Sequence, residues 1–363
     1  PSPLYTEGVL GQPTLINPVI AGGNDADRDL IKLLFSDVIS MAENYKSSDD
    51  FRTWNIVLKD NLRWSDGKLL TTDDILFTLD ALQNSESRSP LSLNWQGVVA
   101  NRISEREIEF TLRIPYIFFL DNLKELLIIP KHIWGAIPVT NFHLSQFNLE
   151  PVGNGPYKYS SFEKRPDGFI TAYNLITNEY FAGNKPFLEK FIVKFYQNPS
   201  DLINAYNSKN IDGFGGINPK NTENIKLSNT ILEKTMPRYY AIFLNKNVPG
   251  LNDKDVISAL NLAINKPEII EKIFLGKALA VNEPLLPFIA GYDKNSDPDL
   301  EFSPDKSLEL FEKSGWKIND AGIREKKIGK QTASLEFSLV IPQIPSLVDT
   351  ANLIKDYWTA VGV

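Results

Sequence analysis

Acid–base and nucleophilic catalysis draw first on histidine and cysteine, and this chain has two histidines, His132 and His143, and no cysteine. That removes disulfides, thiolate metal sites and cysteine nucleophiles, and the count excludes a histidine-rich metal centre. No G-x-S-x-G, H-E-x-x-H or Walker loop occurs. Gly22-Gly23-Asn24-Asp25 and Gly213-Phe214-Gly215-Gly216 are rich in glycine but lack the Lys and Ser or Thr of a phosphate loop. A carboxylate pair of the glycosidase kind stays open, because Asp and Glu number 45. Binding is the better expectation: no enzyme, no cofactor and no metal site.

The elements that would hold such a site show in the periodicity. Leu62-Arg63-Trp64-Ser65-Asp66-Gly67-Lys68 reads as strand and tight turn, with Asp66-Gly67 as the turn dipeptide. Thr71 is placed to cap a helix whose first turn holds Asp73 and Asp74, and Ile75, Leu76, Leu79 and Leu82 share its inner face. The two-residue period of a strand runs through Trp54, Ile56 and Leu58, through Ile108, Phe110 and Leu112, and through Phe191, Val193 and Phe195. Asp29 to Met41 reads as a helix with Leu30, Leu33, Leu34 and Val38 inward. Val256 to Ile264 makes another helical face, Pro267 opens a helix that stops at Gly276, and Ser303-Pro304 opens one that ends at Gly315. Leu335, Phe337, Leu339 and Ile341 alternate as a strand, and a helix carrying Leu347, Ala351, Ile354 and Trp358 follows. A parallel strand is expected to begin near Val361, so the chain is expected to be part of a longer protein.

The chain has 363 residues, room for two or three domains, with 42% hydrophobic and 23% charged residues. Its net charge of −7 argues against nucleic acid, which needs a basic face. No apolar run approaches the length that spans a bilayer, and Lys and Arg form no polybasic membrane patch.

Several stretches, in order along the chain, resemble the family 5 extracellular solute-binding proteins, the peptide- and oligopeptide-binding components of ABC importers. They are Gly11-Gln12-Pro13 with Leu15, Asn17 and Pro18; Arg63-Trp64-Ser65-Asp66-Gly67 through Asp74 to Thr78; Ile129-Pro130-Lys131-His132-Ile133-Trp134; Pro151-Val152-Gly153-Asn154-Gly155-Pro156-Tyr157-Lys158; and Ala259 to Lys266 with Gly276-Lys277-Ala278. The resemblance implies an α/β fold of the two-lobed periplasmic-binding-protein type, with an extra α+β subdomain inserted in the first lobe. Mapped here, residues 1–40 and 152–243 form the first lobe, 41–151 the insertion, and 244–363 an incomplete second lobe. Relatives have a longer connection near Ser40 and Met41, so residues are expected to be missing there.

The resemblance also implies a monomer outside the cytoplasm, its signal segment and any lipid-bearing cysteine removed, that captures a peptide ligand between its lobes. Closure around the ligand would precede delivery to an ABC permease in the membrane, without nucleic acid. Gly22, Gly23, Asn24 and Asp25 match the first-lobe loop that lines the cleft in relatives, or are a connecting loop that caps the next helix. Trp95 either walls a side-chain pocket or belongs to the core of the insertion. Tyr157 and Asn245 face the same choice between ligand contact and architecture. The acidic residue that meets the ligand amine in relatives would lie beyond Val363. Ile257 stands where the family has Arg, which weakens any transfer of fine specificity. The family also binds nickel complexes, haem, sugars and opines, so fold alone does not set the ligand. A ligand-sensing module on the same fold, and a hydrolase, are the rival readings.

Overall fold

The computed structural model describes residues 3–236, 238–287, 289, 292–293 and 301–363. They divide into two compact units, residues 1–227 and 228–363.

In the first unit the chain runs through strand β1 (Leu4–Leu10), helix α1 (Asp25–Leu34), β2 (Ala42–Ser47), β3 (Thr53–Leu58), α2 (Thr72–Gln83), α3 (Ser92–Trp95), β4 (Val98–Arg102) and β5 (Glu107–Leu112). It continues through α4 (Phe119–Lys124), α5 (Lys131–Trp134), β6 (Tyr157–Lys164), β7 (Ile170–Thr177), β8 (Lys190–Tyr196), α6 (Pro199–Asn207) and β9 (Gly213–Phe214). Two sheets result. One is antiparallel in the order β2-β3-β5-β4; the other is mixed, in the order β6-β7-β8-β1-β9, with β1 parallel to both β8 and β9. A single apolar core runs from Ile16 to Phe195 under both sheets.

Three of the family-like stretches interlock inside this unit. Thr71 and Asp74 form a capping box at the start of α2. The Asp74 side chain also accepts the Lys131 N–H at 2.9 Å, tying α5 to α2. Burial pushes the Asp74 carboxyl up, while the N–H groups of Thr71 and Lys131 pull it down. His132 Nε2 lies 2.7 Å from Asp66 Oδ2, and Ser65 N–H donates to the Gly153 carbonyl at 2.8 Å. Gly155 N–H donates to the Leu34 carbonyl at 2.8 Å, and Asn154 Oδ1 accepts the Ser36 N–H at 2.9 Å.

That last contact sets where α1 ends. Hydrophobic spacing alone carries the helix to Met41, but Asn154 takes the Ser36 N–H, and Phe35 turns extended at φ −127° and ψ 151°. Val38 is still fully buried, inside the turn that links α1 to β2.

The second unit holds α7 (Lys254–Leu262), α8 (Lys266–Phe274), α9 (Pro304–Lys313), β10 (Lys317–Ile318), β11 (Arg324–Ile328), β12 (Gln331–Ser334) and α10 (Pro345–Ala360). The three short strands form an antiparallel sheet, β10-β11-β12. The ladder stops at Ser334. The alternating run from Leu335 to Ile341 pairs with no strand among the described residues: Leu335 is buried, but Val340 is 93% exposed. Val361 to Val363 form a turn closed on Trp358 and Thr359, where a strand was expected.

Arg324 is the buried centre of this unit, 1% exposed. Its guanidinium donates to the carbonyls of Val361 at 2.6 Å and Trp316 at 2.7 Å, pairs with Glu312 at 2.8 Å, and stacks 4.7 Å from the Phe311 ring centroid. Arg324→Met would leave two buried carbonyls without a donor. It should destabilise the second unit by about 3 kcal/mol, since a charged hydrogen bond is worth about 1.5–3 kcal/mol. Urea unfolding followed by tryptophan fluorescence, with Trp316 as reporter, measures this.

Candidate ligand-binding site

β1, β8, β6 and β9 all point the same way, so their carboxyl ends lie along one edge of the five-stranded sheet. In open α/β sheets ligands bind outside the carboxyl ends of the strands. This edge carries Gly11-Gln12 after β1, the Arg165–Phe169 hairpin after β6, Gln197-Asn198 after β8 and Gly215-Gly216 after β9.

The loop before α1 is stitched to the same edge. Asn24 Oδ1 accepts the Ala26 N–H as the helix cap, and its Nδ2 donates to the Gln12 carbonyl at 2.9 Å. Gln12 Oε1 in turn accepts the Ile170 N–H at 2.8 Å. Asp27, buried in the first turn of α1, accepts both the N–H and the hydroxyl of Thr14. The connecting loop is therefore held rigidly while Gly22, Gly23 and Asp25 remain exposed.

The glycines separate into two physical kinds. Most have a reason in the fold: a positive φ, or a neighbour that leaves no room for Cβ. A Cβ on Gly153 would stand 1.9 Å from the Leu34 carbonyl oxygen, and one on Gly8 would stand 2.4 Å from Ile211. Among the described residues, Gly22, Gly23 and Gly215 have neither excuse: their φ is not positive and nothing lies within 4 Å of a Cβ. All three stand at this edge. An open, rigid main chain without side chains is what close approach by another backbone requires.

Two of the other residues expected at the site, Trp95 and Tyr157, are core. Trp95 is 3% exposed and packs edge-on against Phe119 with ring centroids 6.1 Å apart, so it fills the core of the antiparallel-sheet region. Tyr157 is 6% exposed and its hydroxyl donates to the Leu188 carbonyl at 3.1 Å, an architectural bond. Asn245 is exposed in the second unit, its Oδ1 closing a local turn on the Asn247 N–H. In the sequence Gly215 is one glycine in a run that fails as a phosphate loop. Its signal is visible only once the strand before it is known to end at the same edge as β1.

The electrostatics of the sheet beneath this edge are acidic. Glu7, on β1, faces α1 beside Asp29, and its Oε2 accepts the Tyr5 hydroxyl at 2.8 Å. Burial holds the Glu7 carboxyl above the usual carboxylate range, the Tyr5 bond pulls it down, and the Asp29 charge adds to the rise. Burial likewise raises Asp29, against the pull of Lys32 and Arg28.

Residues 38–363 match the family model for bacterial extracellular solute-binding proteins, family 5 Middle. The chain belongs to that family. This family 5 protein is 25% identical over 336 residues to the oligopeptide-binding protein AppA of Bacillus subtilis, covering 88% of the chain and 61% of the relative. It is 25% identical over 310 residues to the nickel-binding periplasmic protein of Escherichia coli, covering 83% of the chain and 57% of the relative. It thus spans less than two thirds of these curated relatives. Among solved structures it resembles NikZ from Campylobacter jejuni in complex with Ni(L-His), with a TM-score of 0.80 and 26% identity over all of this chain and 73% of that one. It shares the fold of Bacillus subtilis AppA in complex with a nonapeptide, with a TM-score of 0.77 and 23% identity over all of this chain and 74% of that one.

The two kinds of glycine should behave oppositely when a methyl is added to this family 5 protein. Gly22→Ala and Gly215→Ala should leave stability unchanged or raise it by up to about 1 kcal/mol, by stiffening the unfolded chain. Gly153→Ala should cost about 3 kcal/mol through the clash with Leu34. Chemical unfolding of the three variants decides it.

Glu7→Gln tests the buried carboxylate. Because the folded-state pKa lies above the unfolded one, ionised Glu7 costs stability at neutral pH. That cost is relieved as pH falls through the folded-state value. The variant should therefore melt higher than the parent at pH 7, and the gap should close as the pH is lowered toward the unfolded-state value, as thermal scans at several pH values would show.

Proposed function

We propose that this protein is the extracytoplasmic substrate-binding component of an ABC importer, that its ligand is a peptide, and that it delivers the peptide to a membrane permease. It works as a monomer, by binding and release, with no covalent step. The observation that carries the reading is the set of open glycines, Gly22, Gly23 and Gly215, at the carboxyl edge of the parallel strands. A ligand recognised through its main chain needs bare backbone beside it, and side chains of any size can then project away. The oligopeptide-binding relative from Bacillus subtilis supports the same ligand class. Family membership supports the placement outside the cytoplasm. Among the described residues no helix is long and apolar enough to cross a membrane.

A metal chelate is the second reading, favoured by the similarity to NikZ in complex with Ni(L-His) and to the Escherichia coli nickel-binding protein. Native mass spectrometry of gently purified protein, followed by denaturation, separates the two. A heterogeneous set of short peptides is the expected release. A single nickel-containing mass would overturn the peptide reading in favour of a chelate. An empty protein that also takes nothing from a peptide library would overturn it outright. Within the peptide reading, Gly215→Val should weaken capture roughly tenfold or more, about 1.4 kcal/mol or more, with no fall in melting temperature.

A further inference from the structure

The small sheet β10-β11-β12 runs against the charge of the rest of the chain. From Lys313 to Lys330 there are six Lys and Arg residues and two carboxylates, Asp320 and Glu325, a local balance of +4 in a chain of net charge −7. Three of the six cations are engaged by the fold. Arg324 is buried and paired with Glu312, and Lys313 lies 3.5 Å from Asp255. Lys326 Nζ donates to the Ser314 carbonyl at 2.6 Å and lies 5.9 Å from the Trp316 ring centroid. Lys317, Lys327 and Lys330 are exposed. Among the described residues no hydrogen bond or ion pair engages their ammonium groups.

Strand register gathers these three. Arg324 and Lys326 point inward along β11, so Glu325 and Lys327 take its outer face. Lys317 pairs across to Glu325, which makes Lys327 its diagonal neighbour, about 7–8 Å away. Lys330 follows in the turn from β11 to β12, where Gly329 has φ 62°. Glu325 stands between Lys317 and Lys327 but accepts from Asn319 Nδ2 at 3.1 Å. Ile328, at the same turn, is 49% exposed. Along the linear sequence these lysines read as scattered; the absence of a basic patch holds there and not on the folded sheet.

We infer that the β11–β12 hairpin docks this protein on an anionic lipid surface, with Lys317, Lys327 and Lys330 toward the headgroup phosphates and Ile328 beside them at the interface. Lysine is a point charge on a flexible stem. It is depleted at protein–protein interfaces, but it serves a layer of charged headgroups, which asks for proximity and no fixed geometry. The acidic remainder of the chain opposes this little, because at 0.1 M salt charges beyond about 10 Å are largely screened. Each lysine near such a surface is worth about fivefold in binding, so three give a weak partition coefficient, on the order of 100 M⁻¹. The inference goes beyond the importer reading and does not depend on which ligand is carried.

The test is co-sedimentation of the chain with sucrose-loaded vesicles at 0.1 M salt. Vesicles of phosphatidylglycerol and phosphatidylcholine in equal parts are compared with vesicles of phosphatidylcholine alone. The chain should pellet with the anionic vesicles only, and 1 M salt, with a screening length of about 3 Å, should release it. Lys327→Gln should weaken binding about fivefold, and the triple variant Lys317→Gln/Lys327→Gln/Lys330→Gln should fall to the level of the neutral vesicles. Lys46→Gln, the same charge change on exposed β2 of the first unit, should leave binding unchanged. Equal melting temperatures show that the variants fold. No preference for the anionic vesicles, a triple variant that binds like the parent, or an equal loss in Lys46→Gln would overturn the inference. A chain that ignores vesicles but is retained on immobilised polyglutamate through the same three lysines would overturn it in favour of an acidic protein segment.

Discussion

Everything in the first unit hangs on how the carbonyl end of α1 is received. A helix leaves its last carbonyls without partners, and a buried end must find donors elsewhere. Here the donor comes from Gly155, more than a hundred residues downstream, while Gly153 lies so close to the Leu34 carbonyl that no side chain fits. Asn154, between them, takes the Ser36 N–H and donates to the Ser36 carbonyl. Its Nδ2 also lies 3.0 Å from Met41 Sδ. One short stretch thus ends a helix, fixes the turn into β2, and starts the path into β6. The Gly153 carbonyl then accepts from Ser65, which brings in the Asp66 turn. Through Asp66 and Asp74 it brings in α5.

Local patterns in the sequence reported the parts of the fold that local physics governs. The alternation of Trp54, Ile56 and Leu58 becomes β3, and the Thr71 cap with Asp74 becomes the start of α2 with the reciprocal bonds of a capping box. The stop at Gly276 is also local, with Leu275 at φ 51° and Gly276 bonded back to Ile270. Long-range contacts are where pattern reading ran short. The helix that should have continued to Met41 is ended by a side chain 118 residues away. Within the alternation from Leu335 to Ile341, Leu335 and Phe337 pack into the core that holds Trp316 and Trp358, but a strand needs a ladder partner and periodicity cannot supply one. Aromatic residues were left open between pocket and core for a related reason. Trp95 and Tyr157 are large enough to wall a pocket, and the same size makes them good core.

The site shows the same division. Gly22 and Gly23 belong to the loop that the family resemblance sets at the cleft, and the structure adds the frame of Asn24, Gln12 and Asp27 that holds them at the edge. Gly215 could not be recognised from spacing, because a glycine beside Gly213 and Gly216 looks like any flexible run. Gly213 is tightly packed against Tyr5 and Gly216 has φ 72°, so each has its own structural reason. Of these three glycines only Gly215 is unexplained by the fold.

Buried charge makes the complementary argument. Asp74 loses solvent but gains two backbone donors at a joint between α2 and α5, so its cost is offset by the order it imposes. Glu7 loses solvent and gains only the Tyr5 hydroxyl, with a second carboxylate, Asp29, nearby. A sheet strand selected for stability alone would carry an apolar residue there, like its neighbours Val9, Phe191 and Val193. The strand that bears this cost is also the one whose carboxyl end leads into Gly11 and Gln12, the start of the edge assigned to ligand. The two buried carboxylates therefore differ in what they do: Asp74 joins α2 to α5, while Glu7 keeps an acidic group on the strand whose carboxyl end leads to the edge.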